Sequence, residues 1–299
     1  MSRAGLIALV IASMLWGTTG TTASFLPADV SPLAVGASTM GIGGLLLFLT
    51  APRMSSAVLR DPATRRWALI GAVGVVVYPL AFYASMDLAG VAIGNVVSLG
   101  SGPVFAALFE RLIEKRRLSQ RWMVATSLAV AGVAILSVVG HADDGTGGRD
   151  VVPGVLLGLA AGISYALYTY ASSRAIALGA PSRGVMGGMF GVGAVALLPL
   201  LIAFGAPLLQ STTSIALAGY LAIGPMFVAY ILFGIGLRSV RSSTATTITL
   251  LEPVIATGLA VAIVGERLTA AGWGGLALVL VGLTVLVTAR RAGKVPRGS

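Results

Sequence analysis

The sequence predicts an all-α integral membrane protein, with ten transmembrane helices arranged as two five-helix halves of opposite orientation around a central cavity. Composition, an internal repeat and the placement of basic residues carry this expectation. Apolar residues make up 57% of the 299 residues and charged residues only 10%, too few to cover the exterior of a water-soluble domain. Ten nearly uncharged segments approach the ~20 residues that cross a bilayer core. They cover residues 4–25, 31–51, 67–87, 88–109, 121–140, 151–173, 184–204, 214–237, 242–265 and 268–289. The sequence from Ala92 to Val138 is written again from Ser242 to Thr288: Pro103 falls on Pro253, Leu118 on Leu268, Ser119 on Thr269 and Gly132 on Gly282. Two related halves around a polar midplane are a common plan for membrane carriers.

The first segment is read as a span rather than a cleaved signal peptide, because its apolar run is long and no small-x-small cleavage site follows. If the N-terminus is cytoplasmic, every Lys and Arg except Arg149 and Arg267 falls on the cytoplasmic side. Asp143, Asp144 and Asp150 gather in one loop on the other side. The net charge of +10 is therefore a topology signal rather than a nucleic-acid footprint. An odd number of spans per half inserts the copies in opposite directions, so the repeat is an inverted one. The halves are residues 1–141 and 151–291, joined by an extracytoplasmic linker at 142–150. The tail, 292–299, ends in Val295-Pro296-Arg297-Gly298-Ser299, which resembles a protease-site remnant and is set aside.

Midspan prolines occur in repeat-related pairs: Pro79 (span three) with Pro225 (eight), and Pro103 (four) with Pro253 (nine). Each removes a backbone donor and frees a carbonyl that lipid cannot satisfy, so kinks and gating are expected there. Polar residues follow the same partition. Trp16 sits midway along span one beside Thr18, while span three carries Tyr78 and Phe82. Asn95, Ser98 and Ser101 stripe span four, Tyr165 and Tyr168 share a face of span six, and Tyr230 lies in span eight. Thr246, Thr249 and Glu252 recur every third residue in span nine. Spans one, three, four, six, eight and nine are thus expected to line the cavity, with two, five, seven and ten as an outer wall. In span seven, Gly187 and Gly191 form a small-xxx-small packing face. Trp67, Trp122 and Trp273, at span starts, read as an interfacial belt.

Glu252 is expected near the bilayer centre, where a charge costs about 2.5–3.5 kcal/mol even on the insertion scale. Three readings stand together: a protonated acid, a carboxyl hydrogen-bonded to hydroxyls, or a carboxylate that meets an ammonium-bearing substrate.

Leu251-Glu252-Pro253, then Gly265-Glu266-Arg267-Leu268-Thr269 and Gly282, resemble the signature of the EamA family in the drug/metabolite transporter superfamily. Leu15-Trp16-Gly17 and Phe82-Tyr83-Ala84 fit its first half, and the resemblance spans essentially the whole chain. The first copy departs from it, with Gly102 in place of Glu252 and Arg116 in place of Glu266. The resemblance implies a secondary exporter in the bacterial inner membrane, and points within the family to exporters of aromatic and other neutral amino acids. Both termini would then be cytoplasmic, with lipid as the surroundings and a monomer compatible with the plan.

Absences narrow the substrate. No Lys or Arg occupies a midspan position, as carriers of sugar phosphates or nucleotide sugars would need. Span one has no carboxylate of the kind small multidrug antiporters use. A neutral or zwitterionic solute with an apolar side chain fits, with other neutral metabolites or lipophilic drugs as the alternative. An intramembrane enzyme is excluded by the lack of cysteine, by a single histidine (His141) in the joining loop and by the lack of clustered carboxylates. No cofactor, metal or nucleic acid is expected; a passive channel is the remaining rival class.

Overall fold

The computed structural model describes residues 2–27, 29–89, 91–115, 117–139, 150–264 and 269–288. Arg116, most of the joining loop, Gly265–Leu268 and the basic tail lie outside the described residues. The first half of the chain forms α1 (Arg3–Ala23), α2 (Pro32–Leu49), α3 (Pro52–Arg60), α4 (Pro62–Ala89), α5 (Val91–Glu114) and α6 (Gln120–Val139). The second half forms α7 (Val151–Ala177), α8 (Ser182–Phe204), α9 (Thr212–Leu221), α10 (Ala229–Leu237), α11 (Ser242–Ile248), α12 (Leu251–Leu259) and α13 (Ala270–Thr288). Among the described residues, eight helical stretches are long and apolar enough to cross a membrane, and Gln120–Ile135 is a shorter apolar one. The remaining long helix, α5, carries Glu110, Arg111 and Glu114 in its last turns.

Local sequence sets the helix ends. Ser2, Ser31 and Ser211 cap α1, α2 and α9 by accepting a backbone N–H with the side chain. At the end of α7, Gly179 takes φ +96°. Its N–H bonds to the Ile176 carbonyl at 3.0 Å and that of Ala180 to the Ala175 carbonyl at 3.3 Å, which together form a Schellman stop. The amphipathic α3 was not among the expected segments. Pro52 starts it, and it lays Ser55 and Val58 inward between two arginines.

The repeat-related prolines behave differently. Pro79 and Pro103 sit within continuous helices α4 and α5. Pro225 instead lies in a π-helical turn, Ala222–Val228, that joins α9 to α10 and resets the backbone ladder. There the Ala229 N–H reaches the Gly224 carbonyl. Span nine is broken at Thr249–Leu250, and Pro253 is the third residue of the restarted helix α12, where it has no intrahelical bond to lose.

Contacts place the described basic residues toward one end of the bundle. Gly5 at the start of α1 meets Ser239 after α10, and Gly184 at the start of α8 meets Met54 of α3. Arg174 of α7 pairs with Glu114 of α5 at 3.3 Å, and its guanidinium lies 5.7 Å from the Trp67 ring of α4. The Arg121 Nε of α6 donates to the Val285 carbonyl of α13 at 3.3 Å. At the opposite end the Asp150 N–H bonds to the Leu88 carbonyl.

The long helices pack in pairs: α4 along α7, α5 along α7, α2 along α8, α6 along α13, and α1 along both α10 and α12. Glycine makes the closest of these possible. A Cβ on Gly132 of α6 would stand 2.6 Å from the Gly275 carbonyl, and one on Gly282 of α13 would stand 2.6 Å from the Ala125 carbonyl. The repeat-related glycines are thus the two points where α6 and α13 touch backbone to backbone. Gly187 and Gly191 likewise press α8 onto Leu47 and Phe48 of α2.

Replacing Gly132 or Gly282 by Leu should lower thermal stability in detergent by about 1–3 kcal/mol through forced separation of α6 and α13. Gly274, on α13 with nothing within 4 Å of its Cβ position, should accept Leu without loss.

Candidate functional site

A cavity lined by helices of both halves holds about 620 Å³ of empty space, part of it open to the exterior. Trp16 and Thr19 of α1, Thr39 and Met40 of α2, and Tyr78, Pro79, Phe82 and Tyr83 of α4 line one side. Leu99, Tyr165, Tyr168, Leu221, Pro225, Met226, Tyr230 and Glu252 complete it. Glu252 is the one carboxylic acid among these residues, and among the described residues no Lys or Arg reaches the lining. The surface is therefore an aromatic wall with a single carboxyl group.

Polar groups around the wall are tied down by direct bonds, as burial in apolar surroundings demands. The Trp16 indole N–H donates to the Pro225 carbonyl at 2.7 Å, fixing α1 to the π-helical turn. The Tyr168 and Tyr230 hydroxyls bond to each other at 2.7 Å, joining α7 to α10 at the cavity floor. Tyr165 and Thr249 approach to 2.6 Å. Because the Thr249 hydroxyl donates to the Thr246 carbonyl at 2.9 Å, Tyr165 is the donor of that pair. The rings pack as a continuous array: Trp16–Tyr230 centroids are 5.1 Å apart, Tyr78–Phe82 5.4 Å with near-parallel planes, and Tyr165–Tyr168 5.4 Å. Among the described residues, the Glu252 carboxyl has no hydrogen-bond or ion-pair partner, and it shares the cavity lining with Tyr78, Tyr83, Tyr165 and Tyr230.

Of the residues singled out from sequence, Trp16, Tyr78, Pro79, Phe82, Tyr165, Tyr168, Pro225, Tyr230 and Glu252 meet at this cavity. The others lie outside its lining. The Thr18 hydroxyl bonds to Tyr220 at 2.8 Å, and Thr246 returns its hydroxyl to the Ser242 and Ser243 carbonyls. Ser98 is fully buried, and Ser101 stands against Gly162 of α7. Neither Asn95 nor Pro103 nor Pro253 lines the space. The outer-wall assignment of span two needs correction, since α2 contributes Thr39 and Met40 and packs against α8. Thr39 donates to the Val35 carbonyl of its own helix at 2.9 Å, so its presence leaves little polar signature.

A second acid escaped notice in the sequence. Glu110 of α5 is 3% exposed and accepts from the Ser242 hydroxyl (2.7 Å), the Ser243 N–H (2.9 Å) and the Ser243 hydroxyl (2.9 Å). It thereby binds α5 to the start of α11 at the basic end, beside a second cavity lined by Arg121, Trp122, Arg241 and Ser243. Trp122 donates to the Ser243 carbonyl at 3.4 Å and Thr126 meets Thr247 at 3.0 Å beside it.

Removing either hydroxyl of the floor pair, Tyr168→Phe or Tyr230→Phe, should destabilise the protein by about 1 kcal/mol, because its partner is stranded. The double variant should lose less than the sum of the two, by roughly 0.6 kcal/mol, in thermal unfolding.

The model of the EamA-like transporter family matches this chain twice, over residues 3–138 and 152–288. The uncharacterized transporter YwfM of Bacillus subtilis is 33% identical over 290 residues, covering 96% of this chain and 94% of its own. An uncharacterized transporter of Archaeoglobus fulgidus is 26% identical over 284 residues, 95% of this chain and 96% of its own. A solved crystal structure at 23% identity superposes with a TM-score of 0.80 over 99% of this chain and 100% of that one, which shows a shared fold. With its apolar helices and its central cavity, the chain belongs to the EamA-like transporter family of the drug/metabolite transporter superfamily and is a multi-pass membrane transporter, not an enzyme.

Proposed function

We propose that this transporter is a secondary carrier that exports small neutral or zwitterionic solutes, aromatic and other neutral amino acids first, by alternating access. The observation that carries the reading is the aromatic cavity, lined by helices of both halves and free of described basic side chains. Trp16, Tyr78, Phe82, Tyr165, Tyr168, Tyr230 and Glu252 would contact the solute, through ring stacking and area burial on its side chain. Behind them, Thr18 and Thr249 would hold the lining helices in register through Tyr220 and Tyr165, while Asn95, Ser98, Ser101 and Thr246 would pack behind the wall.

Ten spans in two inverted halves are part of the same proposal. It is supported by the twofold family match and by a packing pattern that survives exchange of the halves. Under that exchange α4–α7 becomes the contact of α1 with α10, and α5–α7 becomes the contact of α1 with α12. The pairs α2–α8 and α6–α13 map onto themselves. With the basic end cytoplasmic by the positive-inside rule, both termini are cytoplasmic in a bacterial inner membrane, and the described conformation faces outward. The likeness of the motifs to the amino-acid exporter YddG supports the substrate; the relatives compared above are named as transporters only.

Counterflow of labelled tryptophan, phenylalanine, methionine and threonine in proteoliposomes tests the reading. A carrier lets unlabelled solute inside drive uptake of label, and a passive channel does not. Trp16→Ala and Tyr78→Ala should each cut exchange at least roughly tenfold with normal membrane insertion. Wild-type exchange in both would remove the cavity from the mechanism, and no exchange of any amino acid by folded protein would remove this substrate class.

Glu110 should hold the outward-facing state. In this cysteine-free chain, a cysteine at Thr244, beside the Glu110 contacts, should react with a cytoplasmic maleimide several-fold faster when Glu110→Ala is added. An unchanged rate would assign Glu110 to packing alone.

A further inference from the structure

The cavity has a chemical asymmetry that narrows its ligand beyond a neutral or zwitterionic solute. Three donors of its six polar aromatic side chains are already spent, the Trp16 indole on Pro225, the Tyr165 hydroxyl on Thr249 and one hydroxyl of the Tyr168–Tyr230 pair on the other, which leaves neutral hydroxyls such as those of Tyr78 and Tyr83. The described lining offers no Lys or Arg to an incoming carboxylate. It does offer one carboxyl group, Glu252, partly buried and without a partner among the described residues, in the same lining as Trp16, Tyr78, Phe82 and Tyr83. A lone carboxylate at mid-membrane is costly until a counter-charge arrives, and aromatic faces attract cations rather than anions.

We propose that Glu252 and the aromatic wall form an ammonium site, so that the cavity gives a counter-charge to the protonated amine of its substrate and none to a carboxylate. It rests on the reading of this cavity as the substrate site, and it ranks ligands that the amino-acid assignment leaves unranked. An amine or amino-acid amide with an aromatic body binds best, since its ammonium meets Glu252 while its ring stacks on the wall. The free amino acid binds less well, because its carboxylate must be desolvated without a partner. The acid of the same size without an amine binds least, facing Glu252 with like charge. Glu252 is then a specificity residue in direct contact with substrate.

Isothermal titration of the purified full chain with tryptamine, tryptophan and indole-3-propionate at neutral pH tests the order. We expect tryptamine to bind tightest and indole-3-propionate weakest, with about tenfold or more between them. Glu252→Gln keeps the shape and removes the charge, and should weaken tryptamine about tenfold while bringing the three affinities together. Equal or tighter binding of indole-3-propionate, or an order untouched by Glu252→Gln, overturns the proposal. Should none of the indoles bind to folded protein, the aromatic amino-acid assignment falls, and benzyltrimethylammonium against benzoate decides the ammonium site separately. Binding of the cation alone, lost in Glu252→Gln, upholds it; binding of benzoate or of neither overturns it.

Discussion

Lipid offers no hydrogen bonds, and from that constraint most of the interior follows. A hydroxyl, indole or freed carbonyl at mid-depth must find its partner inside the protein or face a watery cavity. Here the partners lie far apart in sequence: Trp16 with Pro225, Tyr165 with Thr249, Tyr168 with Tyr230. Each bond ties a helix of one half to a helix of the other, or spans the second half across the cavity, so satisfying polar groups also assembles the site. The π-helical turn at Pro225 belongs to the same logic, since the carbonyl of that proline is the acceptor for Trp16. Threonines such as Thr39 and Thr257 escape the demand by bonding to their own helix, and impose no position on their neighbours.

The halves are related yet chemically unequal. Pro79 and Pro103 leave their helices continuous, whereas the second-half prolines sit at a π-helical turn and just after a break. Glu252 has Gly102 as its counterpart, and Gly102 lies against the ring of Tyr165. Glu110, which ties α5 to the start of α11 at the basic end, aligns with Ala260. A strictly symmetric pair would favour neither orientation of the cavity. Among the described residues, these differences put the carboxyl in the cavity lining once and the Glu110 clasp at one end only, so the two ends of the bundle are held differently.

Much of this was legible in the chain. Apolar runs of bilayer length, and their punctuation by arginines, marked where the long helices run because length and charge are what the bilayer selects. Tyrosines and Trp16 marked the cavity because buried amphipathic rings need both an apolar wall and a partner. What stayed hidden was set by tertiary geometry. Glu110 reads as one charge in the run Glu110-Arg111-Leu112-Ile113-Glu114, and its partners Ser242 and Ser243 are over 130 residues away. The helix α3 is too short and too polar for a span, and its inward face becomes visible only against α8. Ser98 and Ser101 carry the spacing of a lining stripe, but a helix has several faces, and theirs turns to α7.

The central claim is that one mid-membrane cavity is the substrate space and stands open away from the basic end. Its most direct measurement is sided labelling of the cysteine-free chain carrying Thr39→Cys, with a membrane-impermeant maleimide added to intact cells or to inverted vesicles. Thr39 lines the cavity without a bond to another helix, so the substitution leaves the assembly intact. The account predicts faster reaction from the periplasmic side, slowed by saturating substrate. Reaction only from the cytoplasmic side, or a rate indifferent to every substrate that the protein exchanges, would contradict it.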